Sequence, residues 1–100
     1  MQLELTARPP MMAIDVEVIS KTHSMTRAIA LGQTLSGLED KELTGDRGIV
    51  KDPARWSRIK SGQHFFPQDK LNQFMDATGN EAPLLYLLHS RGYDLNKYDA

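Results

Sequence analysis

Between Ser20 and Leu95 the chain is cut by Gly37, Gly48, Gly62, Gly79 and Gly92, and apolar residues three and four apart recur between the cuts. This spacing predicts helices, and glycine is the residue on which short helices end. The first helix carries Met25, Ala28, Ile29, Leu31 and Leu35, with Ser24 as its N-cap and Ser36-Gly37 as its stop. A second, short helix is expected over Glu39 to Asp46, stopping near Gly48. Asp52-Pro53 opens a third, because aspartate caps free amides and proline is pre-shaped for the first helical position. It runs to Ser61 and stops at Gly62. A fourth extends from Pro67 or Gln68 to about Thr78, with Leu71, Phe74 and Met75 on one face. The fifth opens at Asn80-Glu81-Ala82-Pro83, carries Leu84, Leu85, Leu87 and Leu88, and ends at Gly92. Five short helices joined by tight turns make an all-α domain with one core.

The first twenty residues follow a different rule. Leu3 and Leu5, then Ile14, Val16 and Val18, alternate with polar neighbours, and Pro9-Pro10 interrupts any helix between them. Period-two patterning with β-branched residues predicts an extended, strand-like N-terminal arm or short hairpin, with a floppy leader as the alternative. The expected organisation is therefore an arm over 1–19, a helical domain over 20–95 and a tail over 96–100.

One hundred residues with 40% apolar content suit one modest core. With no cysteine, neither a disulfide framework nor a thiolate metal site is available. No stretch approaches the ~20 apolar residues of a membrane span. Met1-Gln2-Leu3-Glu4 does not open like a signal peptide. A cytoplasmic protein is expected. The net charge is −1, which argues against indiscriminate coating of nucleic acid. Its distribution is uneven. Between Arg47 and His64 stand Arg47, Lys51, Arg55, Arg58 and Lys60 against Asp52 alone, while both ends of the chain are acidic.

The segment from Leu38 to Gly62 carries the chemistry. Two short helices joined by a glycine-containing turn, the second one basic, form the layout of a helix-turn-helix. On the third helix Trp56 and Ile59 pack inward together, so Arg55, Ser57 and Arg58 face a major groove. Arginine there reads guanine or grips phosphate. Lys41 and Lys60 are placed as contacts to the sugar-phosphate backbone.

Ser57-Arg58-Ile59-Lys60-Ser61-Gly62 resembles the end of the recognition helix in the lambda-repressor/Cro-like (XRE) superfamily. The run Phe66-Pro67, Lys70-Leu71, Phe74-Met75-Asp76, Gly79 to Leu84 and Arg91 to Leu95 is similar to small prophage CII-like regulatory proteins. The resemblance covers roughly Thr26 to Leu95. It implies a five-helix fold, operator binding and a dimer or higher oligomer. One departure stands out: Gly48-Ile49-Val50-Lys51-Asp52 makes the turn about two residues longer than in that family, with Thr44 at or near its usual alanine. The longer turn either tilts the recognition helix, adds Lys51 as a phosphate contact, or marks a fold kept for another use.

Other residues have plainer expected roles. Trp56 is core. Phe65-Phe66 plugs the gap between the third and fourth helices. His23, His64 and His89 lack ligand spacing, so no metal and no cofactor is expected. Leu84, Leu85 and Leu88, with Tyr93 and Leu95, are either buried within the monomer or form a subunit seam. No nucleophile motif, phosphate-cradling loop or paired histidines suggest an enzyme. The sequence therefore points to a double-stranded DNA-binding transcriptional regulator, a homodimer or higher homo-oligomer with no membrane role. The rival from another class is a phage-encoded inhibitor or antitoxin-like adaptor that binds a host protein.

Overall fold

A computed structural model describes residues 11–95. The Leu3–Leu5 alternation, Pro9-Pro10 and the expected tail over 96–100 lie outside the described residues. Six α-helices and one 3-10 turn follow one another: α1 (Val16–Ser20), α2 (Met25–Ser36), α3 (Asp40–Leu43), α4 (Pro53–Lys60), the 3-10 turn (Gln68–Lys70), α5 (Leu71–Thr78) and α6 (Ala82–Ser90). The all-α expectation holds for the described residues.

The predicted caps explain both ends of α2, the start of α4 and the end of α5. Ser24 Oγ accepts the Arg27 amide at 3.1 Å and Asp52 Oδ1 accepts the Ala54 amide at 3.0 Å. α2 and α5 stop at Gly37 and Gly79, both with positive φ, where a Cβ would be strained.

α2 is the hub of the bundle, packing on α4, α5 and α6. Its buried face is Ala28, Ile29, Gly32 and Gln33. Gly32 lets the Phe74 ring come close: a Cβ there would meet Phe74 Cε2 at 3.0 Å. The main core joins Ile29, Leu43, Ile49, Val50, Trp56, Ile59 and Phe74, with Met25, Leu38, Phe66 and Leu71 packed around it. Between α5 and α6 the wholly buried Asn80 donates from Nδ2 to the Gly32 carbonyl (3.0 Å), and its Oδ1 accepts the Ala82 amide (3.2 Å). No polar side-chain atom is left buried and unpaired among the described residues.

Two expectations are corrected. The extended arm or hairpin over Ile14–Val18 does not form; Val16–Ser20 is a helix, capped by Asp15 Oδ1 on the Glu17 amide at 2.9 Å. The buried residue is Ile19, one turn on from Val16, whereas Val18 is exposed. Packing against α6 thus selects the i, i+3 pair over the alternation. An isolated bridge between Met12 and Asn80, with the Met12 amide donating to the Gly79 carbonyl at 2.7 Å, is the only β-like pairing at this end among the described residues.

The second correction concerns α3, which ends at Leu43 rather than Asp46. Thr44 turns extended and bridges to Val50, and the Leu43 carbonyl accepts the amides of both Ile49 (2.9 Å) and Val50 (3.2 Å). The turn closes on itself and drives Ile49 and Val50 into the core. Gly48 is what permits it. A Cβ at Gly48 would stand 2.5 Å from the Thr44 carbonyl carbon and 2.6 Å from the Leu43 oxygen, both fixed backbone. Gly48→Ala is therefore expected to destabilise the domain by ~2 kcal/mol or more, a fall of roughly 10 °C in Tm. Thermal unfolding by circular dichroism reads this directly, and an unchanged Tm would mean that the turn opens freely.

Candidate nucleic-acid interface

At about 100° per residue, α4 has two unlike sides. Trp56 and Ile59 are each 1% exposed and define the inner side. The indole lies 6.2 Å from the Phe66 ring and 6.1 Å from Phe74, and those two rings are 5.3 Å apart edge to face. Ala54, Ser57 and Arg58 occupy the opposite, exposed side, with Arg55 on one flank and Lys60 on the other. Lys51, just before the N-cap, is also exposed.

The six expected DNA-contacting residues do not share one environment. Lys51, Arg55 and Ser57 make no ion pair or side-chain hydrogen bond with any described residue. Arg58 approaches Asp52 at 3.9 Å, with both groups largely in water, a pairing of small energetic value. Lys41 is exposed on α3, 3.4 Å from Glu39. Lys60 is turned back onto the domain. Its Nζ donates to Asp40 Oδ1 at 2.6 Å and sits 5.8 Å from the Trp56 ring centroid. An ammonium held this way is a brace between α3 and α4 rather than a free phosphate contact.

Asp40 is the residue that sequence reasoning missed. Its Oδ1 accepts from Lys60 Nζ, from Gln33 Nε2 at 2.8 Å and from Trp56 Nε1 at 2.9 Å. Gln33 Nε2 also donates to the Leu38 carbonyl at 3.1 Å. One carboxylate oxygen thus ties α2, α3 and α4 together at the base of the basic face. The Lys60 hydrogen bond first, then those of Gln33 and Trp56, hold the Asp40 carboxyl at about 2, below its ordinary 3.8, against the opposing pull of desolvation. The available signal was Trp56 itself: a buried indole N–H needs an acceptor. Ile49 and Val50 were also missed as core, because they were read only as turn length. Lys70 supports them by donating from Nζ to the Ile49 carbonyl at 2.8 Å.

At the other end of the chain, Leu84, Leu87 and Leu88 share one side of α6, with Leu84 and Leu87 exposed, as is Arg91 just beyond the helix. Leu85 and Leu88 are half-buried and Tyr93 is exposed, whereas Leu95, expected at a seam, is buried within the chain. Phe65 and Phe66 also part company: Phe66 joins the aromatic cluster, and Phe65, expected to plug the same gap, is 93% exposed. No helix among the described residues is long and apolar enough to cross a membrane. The described residues contain no cluster of three or more histidine, aspartate or glutamate side chains fit to hold a metal ion. Comparison with protein-family models, curated proteins and solved structures gave no match.

Because the folded pKa of Asp40 lies below its unfolded value, its network stabilises the domain above about pH 4. That contribution fades as the pH falls through about 2. Denaturant unfolding followed by the single tryptophan, Trp56, measures the effect. Asp40→Asn is expected to be less stable than the parent at pH 6, with the gap shrinking between pH 4 and pH 2. A gap independent of pH would show that the charge on Asp40 does not matter.

Proposed function

We propose that this chain is a sequence-specific, double-stranded DNA-binding transcriptional regulator of the lambda-repressor-like kind, acting as a homodimer. The observation that carries the reading is the burial of Trp56 and Ile59, which turns Ser57 and Arg58 outward beside Arg55 on a short helix, with Lys51 exposed just before its N-cap. A groove-facing helix needs such a side, with planar guanidinium groups able to grip guanine edges and a hydroxyl beside them. Lys51 and Lys41 suit phosphate contacts, which set register without carrying code. Lys60 has a different part here, bracing α4 through Asp40. The resemblance of residues 57–62 and of the C-terminal run to prophage regulators supports the same reading.

One helix of this length reads only a few base pairs, and helix-turn-helix proteins extend their site by two-fold symmetry. The outward leucines of α6 are the surface we assign to that contact. A second reading, an adaptor that binds a host protein, draws on the net charge of −1 and on the pairing of Lys60 with Asp40.

Fluorescence anisotropy on duplexes selected from a random library separates the two. Affinity is expected to fall at least tenfold between ~50 and ~200 mM salt. Arg58→Ala should cost ~1–3 kcal/mol on the selected duplex and relax its preference, whereas Lys51→Ala should weaken all duplexes alike. Failure of the parent chain to bind any duplex at low salt would leave the adaptor in place of the regulator.

The assembly has its own test. Leu87 is 42% exposed, so Leu87→Asp should leave helical content intact while lowering the molar mass seen by light scattering to that of a monomer. A parent chain that is already monomeric, alone and on DNA, refutes the dimer.

A further inference from the structure

Phe65 has no place in the core and lies outside α4, yet the chain on either side of it is fixed. It is 93% exposed, the most exposed of the large apolar side chains among the described residues. Its two neighbours are fixed. On one side, the amides of Gln63 and His64 both donate to the Arg58 carbonyl, at 2.9 and 3.3 Å, so the chain folds back over the last turn of α4. On the other, Phe66 is locked edge-on against Trp56 and Phe74, and Pro67 biases it toward extended backbone. In extended backbone successive side chains point to opposite sides, so seating Phe66 inward commits Phe65 to water. The sequence thus displays a phenyl ring one residue beyond a segment hydrogen-bonded to Arg58.

We propose that Phe65 extends the DNA interface as an apolar reader of a thymine methyl group at the border of the recognised site; this rests on the reading of α4 as the groove-facing helix. The chemistry narrows the target. A phenyl ring placed against phosphate oxygens or polar base edges strips them of water and returns no hydrogen bond. The 5-methyl of thymine is the apolar feature of the major groove, and a phenyl ring is among the groups that contact it. The two residues before Phe65 fold back on the Arg58 carbonyl, and on this proposal the ring is assigned to base pairs beside those faced by Arg58. Arg58 supplies hydrogen bonds and Phe65 supplies apolar contact, which makes a run of guanine followed by thymine readable by two adjacent side chains.

The test uses the intact chain and a duplex selected by it from a random library, with each thymine replaced in turn by uracil, which lacks only the methyl group. At one position per half-site the parent should lose about fourfold in affinity, the worth of one buried methyl group. Phe65→Ala should bind the thymine duplex more weakly, by about fourfold or more, and be indifferent to uracil at that position. Phe65→Leu, which keeps an apolar tip, should recover part of the thymine preference. Because no phosphate contact is removed, the salt dependence should be that of the parent, and because the ring is exposed, so should the Tm. Equal affinity of parent and Phe65→Ala on every duplex overturns the inference while leaving the basic face intact. A fall in molar mass for Phe65→Ala, with DNA affinity lost at all sequences alike, would place the ring in a subunit seam and also overturn it. No binding by the parent to any duplex removes the regulator reading itself.

Discussion

The indole of Trp56 is the point on which the middle of this domain turns. Its ring fills the core against Phe66 and Phe74, and its one polar atom is carried out of that core to Asp40. The apolar half of the interaction fixes the rotation of α4 about its axis, and the hydrogen bond fixes where α4 lies against α3. Gln33 and Lys60 then converge on the same carboxylate oxygen. Burial of a large aromatic ring accounts for most of the stabilisation, since truncating one to alanine costs ~3–5 kcal/mol. The polar contacts contribute less free energy and more geometry. They stop a helix of two turns from rolling, which a smooth apolar contact alone would not do.

The turn before α4 follows from the same requirement. α3 is a single turn of helix, too short to present a face of its own. Ile49 and Val50 take over the core positions that a longer second helix would supply, and the Leu43 carbonyl, Gly48 and Lys70 hold them there. Ile49 and Val50 are therefore packed material rather than slack. Lys51 and Asp52 emerge from this turn already oriented, one exposed beside α4 and the other capping it.

Much of the fold was legible in the chain because helix ends are local. Ser24, Asp52, Pro53 and the stops at Gly37 and Gly79 act through hydrogen bonds and φ values set within a few residues. The inward Trp56 and Ile59 were legible for a similar reason, as an i, i+3 pair on a capped helix. What escaped depends on partners distant in sequence. Ile14 to Val18 has a period of two, but the contact with α6 favours the Val16–Ile19 face, and nothing near the segment reports that contact. Asp40 resembles any surface acid in sequence; only folding brings Gln33, Trp56 and Lys60 to one of its oxygens. Phe65 is exposed where burial was expected, and Leu95 takes the buried one of the two places left open for it. For α1 and Asp40 the deciding partners sit on other elements, whereas for Phe65 the deciding residue is its neighbour Phe66, seated against Trp56 and Phe74.

The division of labour on α4 bears on how a DNA reader of this kind would bind. Of the five basic side chains between Arg47 and Lys60, Lys60 is neutralised by Asp40, and Arg58 stands within 3.9 Å of Asp52. The unpaired positive charge of this segment is thus smaller than the sequence count suggests, and in such a reader the affinity gained through phosphate neutralisation would be correspondingly modest. A single copy would hold non-specific DNA weakly, so selectivity would depend on base contacts and on joining two copies. Side chains that face outward from α4 carry almost none of the packing, whereas Trp56, Ile59 and the Asp40 network carry nearly all of it. A substitution at Arg55, Ser57 or Arg58 would therefore change the outward face of α4 without disturbing what is folded. Replacing Asp40 or Trp56 would instead disturb the presentation of the entire face, so an effect of either on DNA binding would report on orientation rather than on contact.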